Sequence, residues 1–315
     1  MKYLKDLREG DRVFDIYLCK HKQEAMTKNG KPYESVILQD KTGTMDAKVW
    51  DPNNPGIGDY DALDYIEVHG EVTNFQGQLQ VNVKRIRVCG EDEFDPSDYL
   101  PVSAKSIDGM YKELTNLIES LDNQDLKRLL RAFFVEDENF AKRFKKASAA
   151  KSVHHGFVGG LLEHTLSVAK LCDYYTTAYP MLNRDLLLTA AMCHDIGKVK
   201  ELSAFPENDY TDEGQLLCHI VMGAQMVAEK AALIGGFPKG LLTELQHCIL
   251  AHHGKYEYGS PKLPALIEAV ALNYADDTDA KMETFTEILQ KNSEVGGWLP
   301  FNRLFESSLR PTKGC

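Results

Sequence analysis

The most constraining stretch of the chain is an apolar helix that ends in a histidine and an aspartate. Residues 186–193 are apolar almost all round, which predicts a helix buried on every side. His194 and Asp195 follow directly. Because an unpaired charge inside a protein is costly, these two side chains need partners. A divalent metal ion would be one partner, and a simple helix cap made by the His-Asp pair is the alternative.

The other histidines favour the metal. Eight of the ten histidines lie between residues 154 and 253. Helical spacing places three of them on inward-facing apolar stripes, and two more stand in tandem. Two aspartates, Asp195 and Asp276, also point inward. Burying so many polar groups without a shared ligand would be expensive, so the sequence predicts a metal site. The residues concerned are His164, His194, His219, Asp276 and the tandem pair His252 and His253.

The donor types predict which ion binds and what it does. Mixed imidazole and carboxylate donors suit Mn²⁺, Mg²⁺, Fe²⁺ or Co²⁺, of which we favour Mn²⁺. Asp195 could bridge two ions, as in two-metal phosphoester hydrolases, where a bound water becomes hydroxide at neutral pH. Lys198, four residues past His194, would share its face if the helix continued and would neutralise phosphate charge. Gly197 is expected to begin the turn that ends the helix.

The N-terminal third has a different pattern. Short β-rich segments alternate with turns and contain no long helix, which predicts a small Greek-key barrel. Residues 1–90 carry 13 basic and 14 acidic side chains, a net charge of −1, whereas 91–315 carry 23 and 33, a net of −10. A local basic groove is therefore possible only in the first part. The predicted strands are 13–19, 33–39, 44–50, 65–72 and 79–88.

The segment 37–50 resembles strands 2 and 3 of nucleic-acid-binding OB-folds. Such barrels bind single strands with aromatic platforms and basic side chains. The resemblance makes four residues candidate contacts, although for each aromatic a place in the barrel core is the alternative. They are Tyr33, Lys48, Trp50 and Phe75.

The domain boundaries follow from composition. Residues 91–104 are acidic and contain two prolines, which predicts a linker between a domain at 1–90 and a helical domain at 105–315.

The seven cysteines are scattered without a CxxC pair, which indicates free thiols in a cytoplasmic protein and argues against a cysteine-zinc site. No run of 18 apolar residues is present, so no membrane span is expected.

The spacing of the inward polar residues is similar to a known signature. The order His164, His194-Asp195, Asp276 resembles the H…HD…D motif of HD-domain metal-dependent phosphohydrolases. The segments 154–165 and 273–281, together with the barrel in front, narrow the resemblance to the YhaM-type 3′-to-5′ exoribonucleases. It covers nearly the whole chain, and the barrel-then-HD order is its specific part. It implies an N-terminal all-β OB-like barrel followed by a C-terminal all-α HD domain.

The resemblance also implies roles for individual residues. The signature residues His164, His194, Asp195 and Asp276 would bind one ion, with Lys198 at the phosphate. The subset of the superfamily with a second metal suggests that His219, His252 and His253 bind another ion. Outside the core signature, His154 and His155 would contact substrate or orient His164, and Asp279 would support the site. We expect His247 to be structural and Asp277 to be solvated.

Three functions are compatible with this sequence. The first is a metal-dependent 3′-to-5′ exoribonuclease that hydrolyses single-stranded RNA, or single-stranded DNA, to nucleoside monophosphates. The second is a phosphohydrolase of small nucleotides, and the third is a non-catalytic protein that binds single-stranded DNA. The intact ligand set argues against the third. The sequence determines neither the number of ions nor the oligomeric state, and it is compatible with a homo-oligomer.

Overall fold

A computed structural model describes residues 2–151 and 155–312. The chain divides into two compact units. One comprises residues up to 102 together with 205–207, and the other comprises 103–204 and the residues from 208 onward. Residues 91–102, within the predicted linker, belong to the first unit and contribute the buried side chains of Tyr99 and Leu100.

The first unit is a closed five-stranded barrel with the strand order β1-β2-β3-β5-β4. All neighbouring pairs are antiparallel except β3 and β5, which pair in parallel and close the barrel. This connectivity is that of an OB-fold, so the predicted OB-like barrel is confirmed. The strands are β1 (Arg12–Met26), β2 (Pro32–Asp40), β3 (Gly43–Val49), β4 (Tyr65–Phe75) and β5 (Gln78–Val88).

Alternation along the strands separates the barrel core from its outer face. In β2, Val36 and Leu38 are fully buried. Tyr33 and Ser35, which lie closer to the start of the strand and face the other way, are only half-buried. Such a period of two is what one buried face of a sheet requires. Residues with outward side chains on β2 and β3 are therefore available to a ligand.

The second unit is helical, as predicted for the HD domain. Its apolar core is continuous and includes every residue of 186–193 except Thr189, which is also buried. The helices are α1 (Ile107–Glu119), α2 (Gln124–Phe134), α3 (Glu138–Lys146), α4 (Gly160–Ala178), α5 (Arg184–Cys193), α6 (Lys198–Glu201), α7 (Asp212–Ile234), α8 (Lys239–Ala251) and α9 (Ile267–Lys291). A small hairpin, β6 (Phe301–Asn302) and β7 (Ser307–Ser308), follows.

Helix α7 is the one described helix that is long and apolar enough to cross a membrane by length and composition. Core helices pass the same test, and α7 has core residues such as Met226 and Val227 on its buried side. It is also interrupted at Cys218, whose φ of 57° and ψ of 160° are not helical. The residue that follows the interruption is His219, one of the histidines of the candidate metal centre.

Candidate metal centre

Five histidines of the helical unit share one hydrogen-bonding pattern. In each, Nδ1 lies 2.7–2.9 Å from an oxygen of the protein, to which it can donate. That donation fixes the tautomer and leaves Nε2 with a lone pair, as in histidines that bind metals. The pairs are His164 with Asp279, His194 with the Ala191 carbonyl, His219 with Glu201, His252 with the Ile249 carbonyl, and His253 with the Tyr258 carbonyl.

The first cluster lies where α4, α5 and α9 meet. His164 Nε2 is 3.1 Å from His194 Nε2 and 3.2 Å from Asp276 Oδ1. Asp195 Oδ2 is 3.5 Å from both of these histidine nitrogens. Two carboxylates and two imidazole nitrogens thus surround one point, and together they offer the donor set of a divalent ion.

The second cluster uses the other oxygen of the same aspartate. Asp195 Oδ1 is 3.4 Å from His219 Nε2 and 3.7 Å from His252 Nε2. His253 joins them, since ligand atoms of the three histidines lie within 4.8 Å of one another. Asp195 therefore stands between the two clusters and presents one carboxylate oxygen to each.

These residues fit divalent ions on two counts. Asp195 Oδ1, His219 Nε2 and His252 Nε2 are buried atoms without a hydrogen-bond partner among the described residues, which is a costly arrangement unless a ligand binds them. In the first cluster, His164 Nε2 and His194 Nε2 lie 3.1 Å apart, so either a proton or a metal ion must stand between them. Although burial lowers it, the carboxylates of Asp276 and Asp279 raise the pKa of His164 to about 10, so the site attracts positive charge strongly.

Close packing between α6 and α7 sets the position of His219. A Cβ atom on Gly197 would lie 2.1 Å from the His219 carbonyl oxygen, so only glycine fits at this crossing. Gly197 does lie in the turn between α5 and α6, where the exit turn is expected, but with a helical φ of −61°. Its role is therefore close approach rather than a left-handed conformation.

Lys198 and Glu201 hold two of these residues, Asp195 and His219, by an ion pair and by hydrogen bonds. Lys198 Nζ lies 2.7 Å from Asp195 Oδ2. Burial opposes ionisation, but Lys198 and the surrounding histidines hold the pKa of Asp195 well below its usual range. Glu201, which the sequence did not single out, accepts hydrogen bonds from both the backbone N–H and Nδ1 of His219. Glu201 could have been found only by knowing that α6 packs on α7.

Asp279 lies where a group that orients His164 should lie. Its Oδ2 is 2.7 Å from His164 Nδ1 and 3.1 Å from Nε2 of the buried His155. Burial opposes the shift, but these two histidines hold the pKa of the Asp279 carboxyl well below its usual range. His154, the other candidate in this segment, lies outside the described residues.

Two other polar residues lie apart from the clusters. His247 Nε2 accepts a hydrogen bond from the backbone N–H of Ala265, a contact that serves the fold. Asp277 is exposed and pairs with Lys281 at 2.7 Å on the surface of α9.

Three of the four barrel candidates lie together on the outer face of the barrel. The rings of Tyr33 and Trp50 stack with centroids 5.1 Å apart. Lys48 Nζ donates to Ser35 Oγ in the adjacent strand. Phe75 lies at the end of β4, at the hairpin into β5, and is 60% exposed. Exposed aromatics beside a lysine are the features by which such barrels hold a single strand.

A cavity of about 650 Å³ opens onto the first cluster. His164, Asp195, Lys198 and Asp276 line it, together with His253 of the second cluster. Its size lies in the range of sites that hold one small ligand. The remaining walls come mainly from the turn after α8 and from α9. These walls contribute Lys255, Tyr258, Asn273, Tyr274, Asp277, Ala280 and Lys281, and Ala149 also lines the cavity.

The chain is similar to known proteins over its helical unit and over most of its length. Residues 161–281 match the HD domain family, whose members depend on metal ions. The chain is 37% identical over 286 residues to the 3′-5′ exoribonuclease YhaM of Geobacillus sp. (strain WCH70), covering 90% of this chain and 86% of that protein. The second OB-fold domain of replication protein A from Methanococcus maripaludis is 19% identical, with a TM-score of 0.22, and covers 30% of this chain and 98% of that one.

Proposed function

The chain belongs to the YhaM family of 3′-5′ exoribonucleases, and on that premise we propose that it releases nucleoside monophosphates from the 3′ end of single-stranded RNA. The observation that carries the proposal is Asp195, whose two carboxylate oxygens face two separate sets of histidine nitrogens. A carboxylate shared between two ions is the arrangement that two-metal phosphodiester hydrolysis requires.

We propose that the two clusters supply the ligands of two ions. His164, His194 and Asp276 would hold one ion with Asp195 Oδ2, and the three other histidines would hold the second ion with Asp195 Oδ1. When bound, the ions would acidify a water molecule and balance charge on the phosphoryl oxygens. The nitrogen and carboxylate donors favour Mn²⁺, with Mg²⁺, Co²⁺ or Fe²⁺ as the other candidates.

Lys198 would contact the scissile phosphate. It lines the cavity, and its ion pair with Asp195 holds the ammonium group beside the first cluster. Burial opposes its charge, but the Asp195 carboxylate raises the pKa of Lys198, so the side chain stays cationic at neutral pH. A fixed cation at this position would stabilise negative charge as the phosphodiester bond breaks.

The barrel would provide the second grip on the substrate. Tyr33 and Trp50 offer stacked rings and Lys48 offers a charge on one outward face. Stacking accepts any base, so this surface would bind a single strand without strong sequence preference, whether RNA or DNA.

End-labelled RNA tests the proposal. With Mn²⁺, a 5′-labelled single-stranded 20-mer should shorten in single-nucleotide steps, and a 3′-labelled 20-mer should release its label at once as a monophosphate. The Asp195→Asn variant should do neither. Shortening from the 5′ end would contradict the polarity. Hydrolysis of mononucleotides or dinucleotides without any attack on the 20-mer would favour a small-nucleotide phosphohydrolase instead.

A further inference from the structure

Two tyrosine rings border the cavity in front of the metal centre. Tyr258 lies in the turn that follows α8, and Tyr274 lies on α9, two residues before Asp276. The two residues are 60% and 62% exposed. Large rings that line a cavity and yet keep most of their surface in water are available for a ligand to cover.

The backbone ties both rings to the histidine clusters. The Tyr258 carbonyl accepts from His253 Nδ1, so the positions of this tyrosine and of a candidate metal ligand are linked. Asn273, next to Tyr274, donates from Nδ2 to the His252 carbonyl. Gly254 makes this approach possible, because it adopts a φ of +76° and a Cβ atom there would lie 2.5 Å from the Asn273 side chain. The turn and α9 are thus held together beside the site.

The charges around the rings suit a phosphate backbone. Lys255 and Lys281 line the same cavity, and Lys255 Nζ lies 5.1 Å from the Tyr258 ring centroid. With Lys198, three lysines face three aspartates in the lining, so bound divalent ions would make the cavity positive. Aromatic rings interleaved with cations are what proteins use to hold single-stranded nucleic acid.

We propose that Tyr258 and Tyr274 bind the 3′-terminal base of the substrate by stacking, while Lys255 and Lys281 contact the backbone phosphates next to it. This inference rests on the proposed exoribonuclease function and deepens it. Stacking would seat the last nucleotide with its phosphodiester at the metal centre and would accept all four bases. Tyr258 and Tyr274 are therefore binding and positioning residues. The terminal base and the phosphate together determine the position of the 3′ end in the cavity.

The test uses the full chain and two 8-mer RNAs that differ only at the 3′ end, where one ends in a normal nucleotide and the other in an abasic ribose. The readout is the ratio of kcat/KM for the two strands. For the wild type we expect the normal end to be preferred roughly 5- to 150-fold, the range that one stack provides. Tyr258→Ala and Tyr274→Ala should each bring this ratio closer to one. Tyr258→Phe and Tyr274→Phe, which retain the ring, should keep the wild-type ratio.

Tyr256→Ala is the matched control, because Tyr256 lies in the same turn as Tyr258 and is 65% exposed but is not among the described residues that line the cavity. It should keep the wild-type ratio. Equal kcat/KM for both strands in the wild type, or a ratio unchanged in both alanine variants, would overturn the stacking inference while leaving the exoribonuclease function intact. If the wild-type protein shortened neither strand from the 3′ end, the proposed function itself would be wrong.

Discussion

Asp195 is the residue on which both clusters depend. Replacing it by asparagine keeps the shape but removes the charge that both sets of histidines face. We expect Asp195→Asn to lose nearly all RNA hydrolysis and to bind fewer Mn²⁺ ions per chain, as counted by equilibrium dialysis. The neighbouring residues Asp276 and Asp277 give a matched comparison. Asp276→Asn should also lose an ion, whereas Asp277→Asn, which alters an exposed carboxylate, should keep the wild-type stoichiometry.

Asp279 tests whether the orientation of His164 matters. Because its carboxylate accepts from His164 Nδ1, it keeps Nε2 free for an ion. Asp279→Asn should weaken Mn²⁺ binding about 10- to 100-fold, the usual effect of losing such a partner, as measured by isothermal titration calorimetry. Unchanged affinity would mean that the helix backbone alone orients His164.

Which individual side chains face inward could be predicted from helical spacing. The periodicity places His164, His194, His219 and Asp276 on buried faces, and each of the three histidines is buried. The partners of His194 and His219 could not be predicted, because the Ala191 carbonyl acts within a helix end and Glu201 acts through a contact between elements. The tyrosines at the cavity were missed for the same reason, since nothing in their sequence spacing distinguishes them from other exposed aromatics.

At the scale of elements, the crossing of α6 and α7 controls the second cluster. Gly197→Ala would force a methyl group against the His219 carbonyl, so the helices must separate. We expect a destabilisation of about 1–3 kcal/mol, a fall in Tm of roughly 2–12 °C, and a lower number of Mn²⁺ ions bound per chain. Differential scanning fluorimetry measures the fall in Tm, and equilibrium dialysis against Mn²⁺ counts the bound ions.

Gly240 is the control for that substitution. It lies in α8, and a Cβ atom added there would have no other atom within 4 Å, so alanine meets open space. Gly240→Ala should stabilise the helix by up to about 1 kcal/mol and leave ion binding unchanged. A Gly197→Ala variant that behaved like Gly240→Ala would show that the crossing tolerates expansion and does not position His219.

The strands are easier to predict than the end of the barrel unit. Period-two alternation and glycine turns locate all five strands, with observed bounds that differ mainly where β1 extends to Met26. The acidic, proline-containing segment after β5 has the composition of a linker, yet Tyr65, Phe94 and Tyr99 form ring contacts that hold it to the barrel. An acidic composition indicates that a segment is exposed to water, but it does not reveal that single aromatic rings in the segment pack against the barrel.

At the scale of the whole molecule, the barrel would grip the substrate and the helical unit would carry out the chemistry. Trp50→Ala removes one ring of the outward pair with Tyr33. It should raise the KM for a 20-mer roughly 5- to 150-fold and leave the KM for a dinucleotide unchanged. Phe14→Ala is the control, since Phe14 is an exposed barrel aromatic outside the predicted contact set. Equal effects of the two variants on the 20-mer would argue against a specific binding face.

Anomalous diffraction from crystals soaked in Mn²⁺ would show whether Asp195 separates two cation sites. We predict two peaks, one beside each carboxylate oxygen of Asp195, with His164, His194 and Asp276 around one and His219, His252 and His253 around the other. In the Asp195→Asn variant at least one peak should be lost. A single fully occupied peak in the wild type, with the three histidines of the second cluster bonded only to protein groups, would contradict two cation sites at Asp195.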